Sequence, residues 1–281
     1  MTDVSPLGRG LDHVAVLVGG DTVLRVALEP DPAERAAATH REAELLRAVA
    51  AVAPVAVPAP SRVEPAAGWL AHPLLPGAPL IQVDAGVRAR LAPATGAVLG
   101  RLMAAVAGLP APPGVQLDDT APSIWLDEAR ELHGRLEGAI PAAHRAAVRA
   151  FLDAPPPPAA AHGSSVLCHD DLGIEHVLVD ADGTVTGVID WSDAAVADPA
   201  GDLGRIHRDL GPAALDAALA ALRPAHPAGV RERAVFRARC GALEDLAYGL
   251  DEDRPAYVAK FLVALPWLFP PDLSRSASRS R

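Results

Sequence analysis

The stretch Cys168-His169-Asp170-Asp171-Leu172-Gly173-Ile174-Glu175-His176-Val177-Leu178-Val179, with Val185-Thr186-Gly187-Val188-Ile189-Asp190-Trp191-Ser192 after it, constrains the fold of this chain more than any other. The apolar run from Ser165 to Cys168 reads as a short buried strand. It stops at a cluster of charged and imidazole groups that no core accepts unpaired. His176–Val179 and Val185–Ile189 read as two further strands, with Asp180–Gly183 as the turn between them. A hairpin folds its two ends together. Asp171 and His176, before the first strand, should therefore converge with Asp190, after the second, on one edge of a small sheet. Two carboxylates and an imidazole so placed can hold a divalent cation and a hydroxyl next to a phosphate.

These residues carry a family resemblance. His169-Asp170-Asp171-x-x-x-x-His176 resembles the H-G-D-x-x-x-x-N catalytic loop of the aminoglycoside phosphotransferases, relatives of the protein kinases. Ile189-Asp190-Trp191-Ser192-Asp193 resembles their I-D-W metal-binding segment, and Asp198-Pro199-Ala200-Gly201-Asp202-Leu203 their D-P-x-x-D-L run. Three ordered motifs at family spacing are specific where a lone H-x-D is not. The resemblance implies an α+β, two-lobed protein-kinase-like fold, with a small β-rich N-terminal lobe and a mainly helical C-terminal lobe. It also implies transfer of the γ-phosphate of ATP or GTP to a hydroxyl. In that scheme Asp171 is the catalytic residue, orienting the acceptor hydroxyl and taking its proton late. His169 braces the loop, and Asp190 binds Mg²⁺. Two positions depart from the family pattern. His176 stands where Asn is common, though macrolide-type members also carry His there, and metal contact could be direct or through water. Asp170 stands where the family has a small Gly.

Along the chain, residues 1–75 read as the N-terminal, nucleotide-covering lobe. Gly10–Val18 enters a strand, Gly19-Gly20-Asp21 turns it, and Thr22–Ala27 returns. Arg25 occupies the place of the family cation that contacts the α and β phosphates. Asp31 is a good N-cap, Pro32 suits the first helical position, and Glu34 would complete a capping box for a helix reaching about Val49. On that helix Glu42, with Glu44 as its competitor, is the candidate partner for Arg25. Pro54, Pro58 and Pro60 favour extended edge segments. Trp69–Pro73 reads as the last strand of the lobe. Leu74–Leu80 resembles the family hinge, so backbone groups around His72 and Leu74 would face the purine.

Residues 76–273 read as the catalytic and substrate lobe. Helices are expected at Ala85–Leu91 and Ala94–Leu109, split by Pro93, then at Ser123–Glu137 and Pro141–Asp153. After the motifs come Leu203–Asp209, Pro212–Leu222, Val230–Leu250 and Pro255–Leu268. The tail, residues 274–281, has no apolar anchor and is expected to be mobile. The family phosphorylates cationic antibiotics: aminoglycosides, macrolides, hygromycin, and cyclic peptides such as viomycin and capreomycin. Carboxylates near Asp171 would hold such a substrate. Asp193 is one candidate. Glu244, Asp245 and Tyr248 on one helical stretch are others, and a solvated acidic helix end reads equally well there. The charged loops point to a polycation of the capreomycin–viomycin kind.

Composition narrows the partners. The net charge is −10, which argues against nucleic acid as the partner and suits a cationic ligand. No apolar run approaches a membrane span, and the start lacks a secretion signal. The two cysteines, Cys168 and Cys240, suggest no disulfide framework. A cytoplasmic location follows as the expectation. Three functional readings fit: an antibiotic O-phosphotransferase, a metabolite kinase of the same fold, and a nucleotide-binding pseudoenzyme.

Overall fold

Five antiparallel strands, in the order β1-β2-β3-β5-β4, build the amino-terminal sheet of the computed structural model, which describes residues 3–10, 12–222 and 227–271. They are β1 (Val4–Arg9), β2 (His13–Val18), β3 (Thr22–Ala27), β4 (Arg62–Glu64) and β5 (Trp69–Pro73). The β2–β3 turn needs its glycines, since Gly19 and Gly20 both take positive φ. The exposed edge strand β1 was not foreseen. Pro6 within it is tolerable because only one side of an edge strand is paired. Helix α1 (Pro32–Ala50) buries Ala43, Leu45, Leu46 and Val49. Asp31 caps it by accepting from the Ala33 and Glu34 amides at 2.8 and 3.0 Å. The Asp31 amide itself donates to Glu29 Oε1 at 2.9 Å, not to Glu34, so the expected capping box is replaced by a bond to the incoming loop.

The remaining chain is mostly helical. Strand β6 (Ala78–Pro79) leads to α2 (Ala85–Ala107), followed by β7 (Gln116–Leu117), α3 (Pro122–Leu136) and α4 (Ala142–Asp153). Strands β8 (Val166–Cys168), β9 (Val177–Val179), β10 (Val185–Val188) and β11 (Ala195–Ala197) come next. The chain ends with α5 (Ala200–Leu210), α6 (Pro212–Ala221), α7 (Val230–Asp251) and α8 (Pro255–Leu268). Helix α2 runs unbroken through Pro93, where two helices were expected. Close packing on α6 holds it: Cβ atoms at Gly96 and Gly100 would lie 2.2 Å from the Ala214 carbonyl oxygen and 2.4 Å from that of Ala218. The expected mobile tail lies outside the described residues.

One small sheet was expected around the motifs, but there are two. The β9–β10 hairpin pairs with β6, whereas β8 pairs with β11, which in turn pairs with β7. The alanine-flanked run Ala195–Ala197 gives little strand signal in sequence, so this second sheet was missed. The loop between β8 and β9 therefore bridges two sheets. One apolar core joins α1 and β5 to α2, α5, α6 and the hairpin; a second lies among α3, α4, α7 and α8.

Candidate active site

The loop between β8 and β9 is held from behind before any substrate is considered. The His169 amide donates to Asp202 at 3.0 Å. The His169 ring lies 3.0 Å from the Ile189 carbonyl through Nε2, and its Nδ1 accepts the Asp171 amide at 3.2 Å. Those bonds fix one neutral tautomer, and burial lowers the imidazole pKa in the same sense. The ring packs 4.5 Å from that of Trp191, whose indole N–H donates to the Val188 carbonyl. Both ring nitrogens of His169 are thus engaged by backbone groups.

Asp171 is gripped on both oxygens. His176 Nε2 lies 3.0 Å from Oδ2, and Arg205 Nε lies 3.0 Å from Oδ1. Burial alone would raise this carboxyl. The His176 bond and the Arg205 charge outweigh burial and hold it far below the usual carboxylate range. Arg205 was not anticipated. Its signal was its place on α5, three residues past Asp202 and so on the same helix face.

Asp190 sits just beyond β10 in a left-handed conformation, φ +61°. Its Oδ1 faces Arg25 Nη1 at 3.4 Å and accepts from the Ser192 hydroxyl at 3.0 Å. Arg25 also donates to Ser192 at 2.8 Å and lies 2.9 Å from Glu42, whose other oxygen meets His13 at 3.2 Å. Burial would raise the Glu42 carboxyl, but His13 and Arg25 hold it below normal. The competitor Glu44 faces Arg47 on the exposed side of α1.

Two clefts meet at this cluster. One, of about 800 Å³, is lined by Arg25, His72, Leu74, Leu75, His176 and Asp190. The other, of about 1100 Å³, is lined by Asp171, Asp170, Asp193, Asp118, Asp12 and Glu29 among others. His72 is buried, its pKa lowered chiefly by burial, and its Nδ1 bonds the Pro73 carbonyl at 2.8 Å. The Leu74 amide is not free for a base, because it donates to the Asp21 carbonyl at 2.7 Å. Pro73 and Pro76 have no N–H, so Leu75 carries the one backbone donor of residues 73–76 that no hydrogen bond among the described residues engages.

The four substrate candidates separate. Asp193 lines both clefts, its carboxyl raised by burial and by the nearby Asp171 and Asp190 charges. Asp245 is a correction: it is buried and lies 3.0 Å from Arg208 and 3.1 Å from Lys260, away from either cleft. Glu244 lines a small separate cavity beside Trp125 and Arg237. Tyr248 is exposed, with its ring edge-on to Tyr257. Helical spacing placed Glu244 and Tyr248 on one face, but the neighbouring helices decide where that face looks.

Among the described residues no group of three or more His, Cys, Asp or Glu side chains could enclose an ion. Mg²⁺ bound mainly by phosphates needs only one or two protein carboxylates. Asp190 fits, since no hydrogen bond among the described residues engages its Oδ2. His176 Nε2 is already bonded to Asp171, which leaves the other ring nitrogen, Nδ1, as its one remaining donor for direct metal contact.

The chain aligns with a macrolide 2'-phosphotransferase, MphH from Brachybacterium faecium, at 29% identity and TM-score 0.57, covering 96% of this chain and 94% of that one. It also aligns with the GDP and kanamycin complex of APH(2")-IIia at 19% identity and TM-score 0.61, covering 92% and 90%. A 40-residue stretch is 55% identical to the uncharacterized protein YcbJ of Bacillus subtilis (strain 168), spanning 14% of this chain and 13% of that relative. The solved neighbours share the two-lobed, kinase-like fold. The model of the phosphotransferase enzyme family, APH, matches residues 3–235, so the chain belongs to that family.

Proposed function

We propose that the protein transfers the γ-phosphoryl group of a nucleoside triphosphate to a hydroxyl of a cationic antibiotic. The observation that carries this reading is the position of Asp171: a doubly held carboxylate on the wall of the larger, acid-lined cleft, next to the Arg25–Asp190 end of the other.

In this reading the nucleotide occupies the cleft under β2 and β3, and the Leu75 N–H is the backbone donor at the base edge. Arg25, fixed by Glu42, neutralises phosphate charge. Asp190 would hold Mg²⁺, which would supply positive charge against the developing phosphate charge. Asp171 accepts a hydrogen bond from the acceptor hydroxyl and aims its oxygen at the terminal phosphorus. Its low basicity means that the proton crosses late, as the oxygen–phosphorus bond forms and the bond to the leaving diphosphate breaks. Arg205 and His176 keep the carboxylate oriented. The products are a phosphate monoester and a nucleoside diphosphate, with the alcohol proton on Asp171.

Seven acidic side chains along the acceptor cleft, Glu42 among them, suit a ligand with several amines. This favours an aminoglycoside or a cyclic peptide of the capreomycin–viomycin kind. A macrolide is the second reading, supported by the 29% identical structure and by His176. A cytoplasmic location suits a nucleotide-consuming enzyme. Among the described residues no helix is long and apolar enough to cross a membrane. The test is a transfer assay with γ-labelled ATP and GTP against kanamycin, capreomycin, viomycin and erythromycin, paired with growth of a sensitive host expressing the gene. Label transfer with matching resistance is expected for one class. Turnover on choline or a sugar without resistance would select a metabolite kinase, and nucleotide binding without turnover on any alcohol would select a pseudoenzyme.

A further inference from the structure

Lys260 is the single lysine of the chain, and it lies inside the protein. From α8 its Nζ reaches Glu175 at 3.2 Å, Asp245 of α7 at 3.1 Å and Asp209 of α5 at 3.6 Å. Arg208 joins the same array, 2.6 Å from Asp209 and 3.0 Å from Asp245. Three carboxylates thus surround two buried cations. Apolar packing of equal volume commonly stabilises a core as well as or better than such an array, so its presence asks for a geometric reason.

That reason lies at its end on the catalytic loop. Glu175 stands between Asp171 and His176 in sequence. Asp209 also accepts the Ile174 amide at 3.1 Å. Glu175 folds back so closely over Gly173 that a Cβ there would sit 2.6 Å from its carboxyl carbon. A compact ammonium with three donors can meet carboxylates from three elements at once, whereas a planar guanidinium is shaped for two oxygens in its plane.

We propose that Lys260 is a positioning residue for phosphoryl transfer: through Glu175 it clamps residues 172–176 and so fixes where Asp171 and His176 point. The proposal rests on the phosphotransferase reading above, and one arm of its test needs no turnover. Lys260→Met would leave three carboxylates facing one cation and is expected to fold poorly. Glu175→Ala leaves two of each and should fold. With ATP and GTP as donors and kanamycin, capreomycin and erythromycin as acceptor probes, Glu175→Ala should lower kcat about 10- to 100-fold well below its Tm. KM for both substrates should stay within about threefold, and Glu175→Gln, which can still accept from Lys260, should recover most of the rate. Amide hydrogen exchange of the free protein should rise at residues 172–176 in Glu175→Ala and stay unchanged in β2 and β3. Wild-type kcat in Glu175→Ala, or unchanged exchange, overturns the proposal. Raised exchange in the variant, with no transfer by the wild type, supports the clamp and overturns the phosphotransferase reading instead.

Discussion

Replacing Asp170 by Asn should stabilise the protein at pH 8 and about a third as much at pH 5. The Asp170 carboxyl is mostly buried, and its nearest guanidinium nitrogen, Arg205 Nη1, is 3.9 Å away, too far for a hydrogen bond. Burial first, then the Asp202 charge, push its pKa up to about 7; the Arg205 charge opposes them without winning. An unfolded chain loses this proton near pH 4. Between about pH 4 and 7 the folded chain therefore holds a proton that the unfolded chain has released. The associated stability is present at low pH and lost as pH rises through 7. A gap of about three pH units corresponds to a cost of about 4 kcal/mol above pH 7, with cleft water reducing it to about 2–4 kcal/mol. Asn matches the shape and tolerates the left-handed backbone of Asp170, φ +60°, so the exchange isolates the charge. For a chain of this size the gain is roughly 5–15 °C in Tm. Thermal and urea melts of both proteins at pH 5 and pH 8 measure it. An equal effect at the two pH values, or a lower Tm at pH 8, would refute the reasoning, the latter by showing that the arginines more than compensate for burial.

Further outcomes follow from the same contacts. Arg25→Ala removes the cation that joins Glu42, Asp190 and Ser192, and should raise nucleotide KM by about tenfold or more in steady-state assays, the loss expected of a charged hydrogen-bonding group. Gly100→Ala puts a methyl 2.4 Å from the Ala218 carbonyl oxygen and should cost about 1–3 kcal/mol in urea unfolding as α2 is forced off α6.

The β9–β10 hairpin was legible because charged residues at the ends of apolar runs cannot be buried unpaired, and a short turn closes the geometry locally. The elements of the amino-terminal sheet were legible for the same local reason, apart from β1 and β4. What sequence did not show were choices made between distant elements. The same α7 spacing suits a solvent face, a substrate face or a buried ion array, and Asp245 takes the last because Lys260 of α8 and Arg208 of α5 meet it there. Pro93 signals a helix break, yet packing of Gly96 and Gly100 on α6 keeps α2 whole. Arg205 lies 34 residues from Asp171, so no local pattern joined them. The hinge stretch was readable as a turn, but not that Asp21 would take the Leu74 amide.

The central claim is that the Asp171 carboxylate, held by His176 and Arg205, orients the acceptor alcohol for transfer. Single-turnover transfer of labelled γ-phosphate by Asp171→Ala, on the acceptor that the wild type uses best, tests it most directly. The rate should fall by about a thousandfold or more while nucleotide binding persists. Transfer at the wild-type rate would contradict the account.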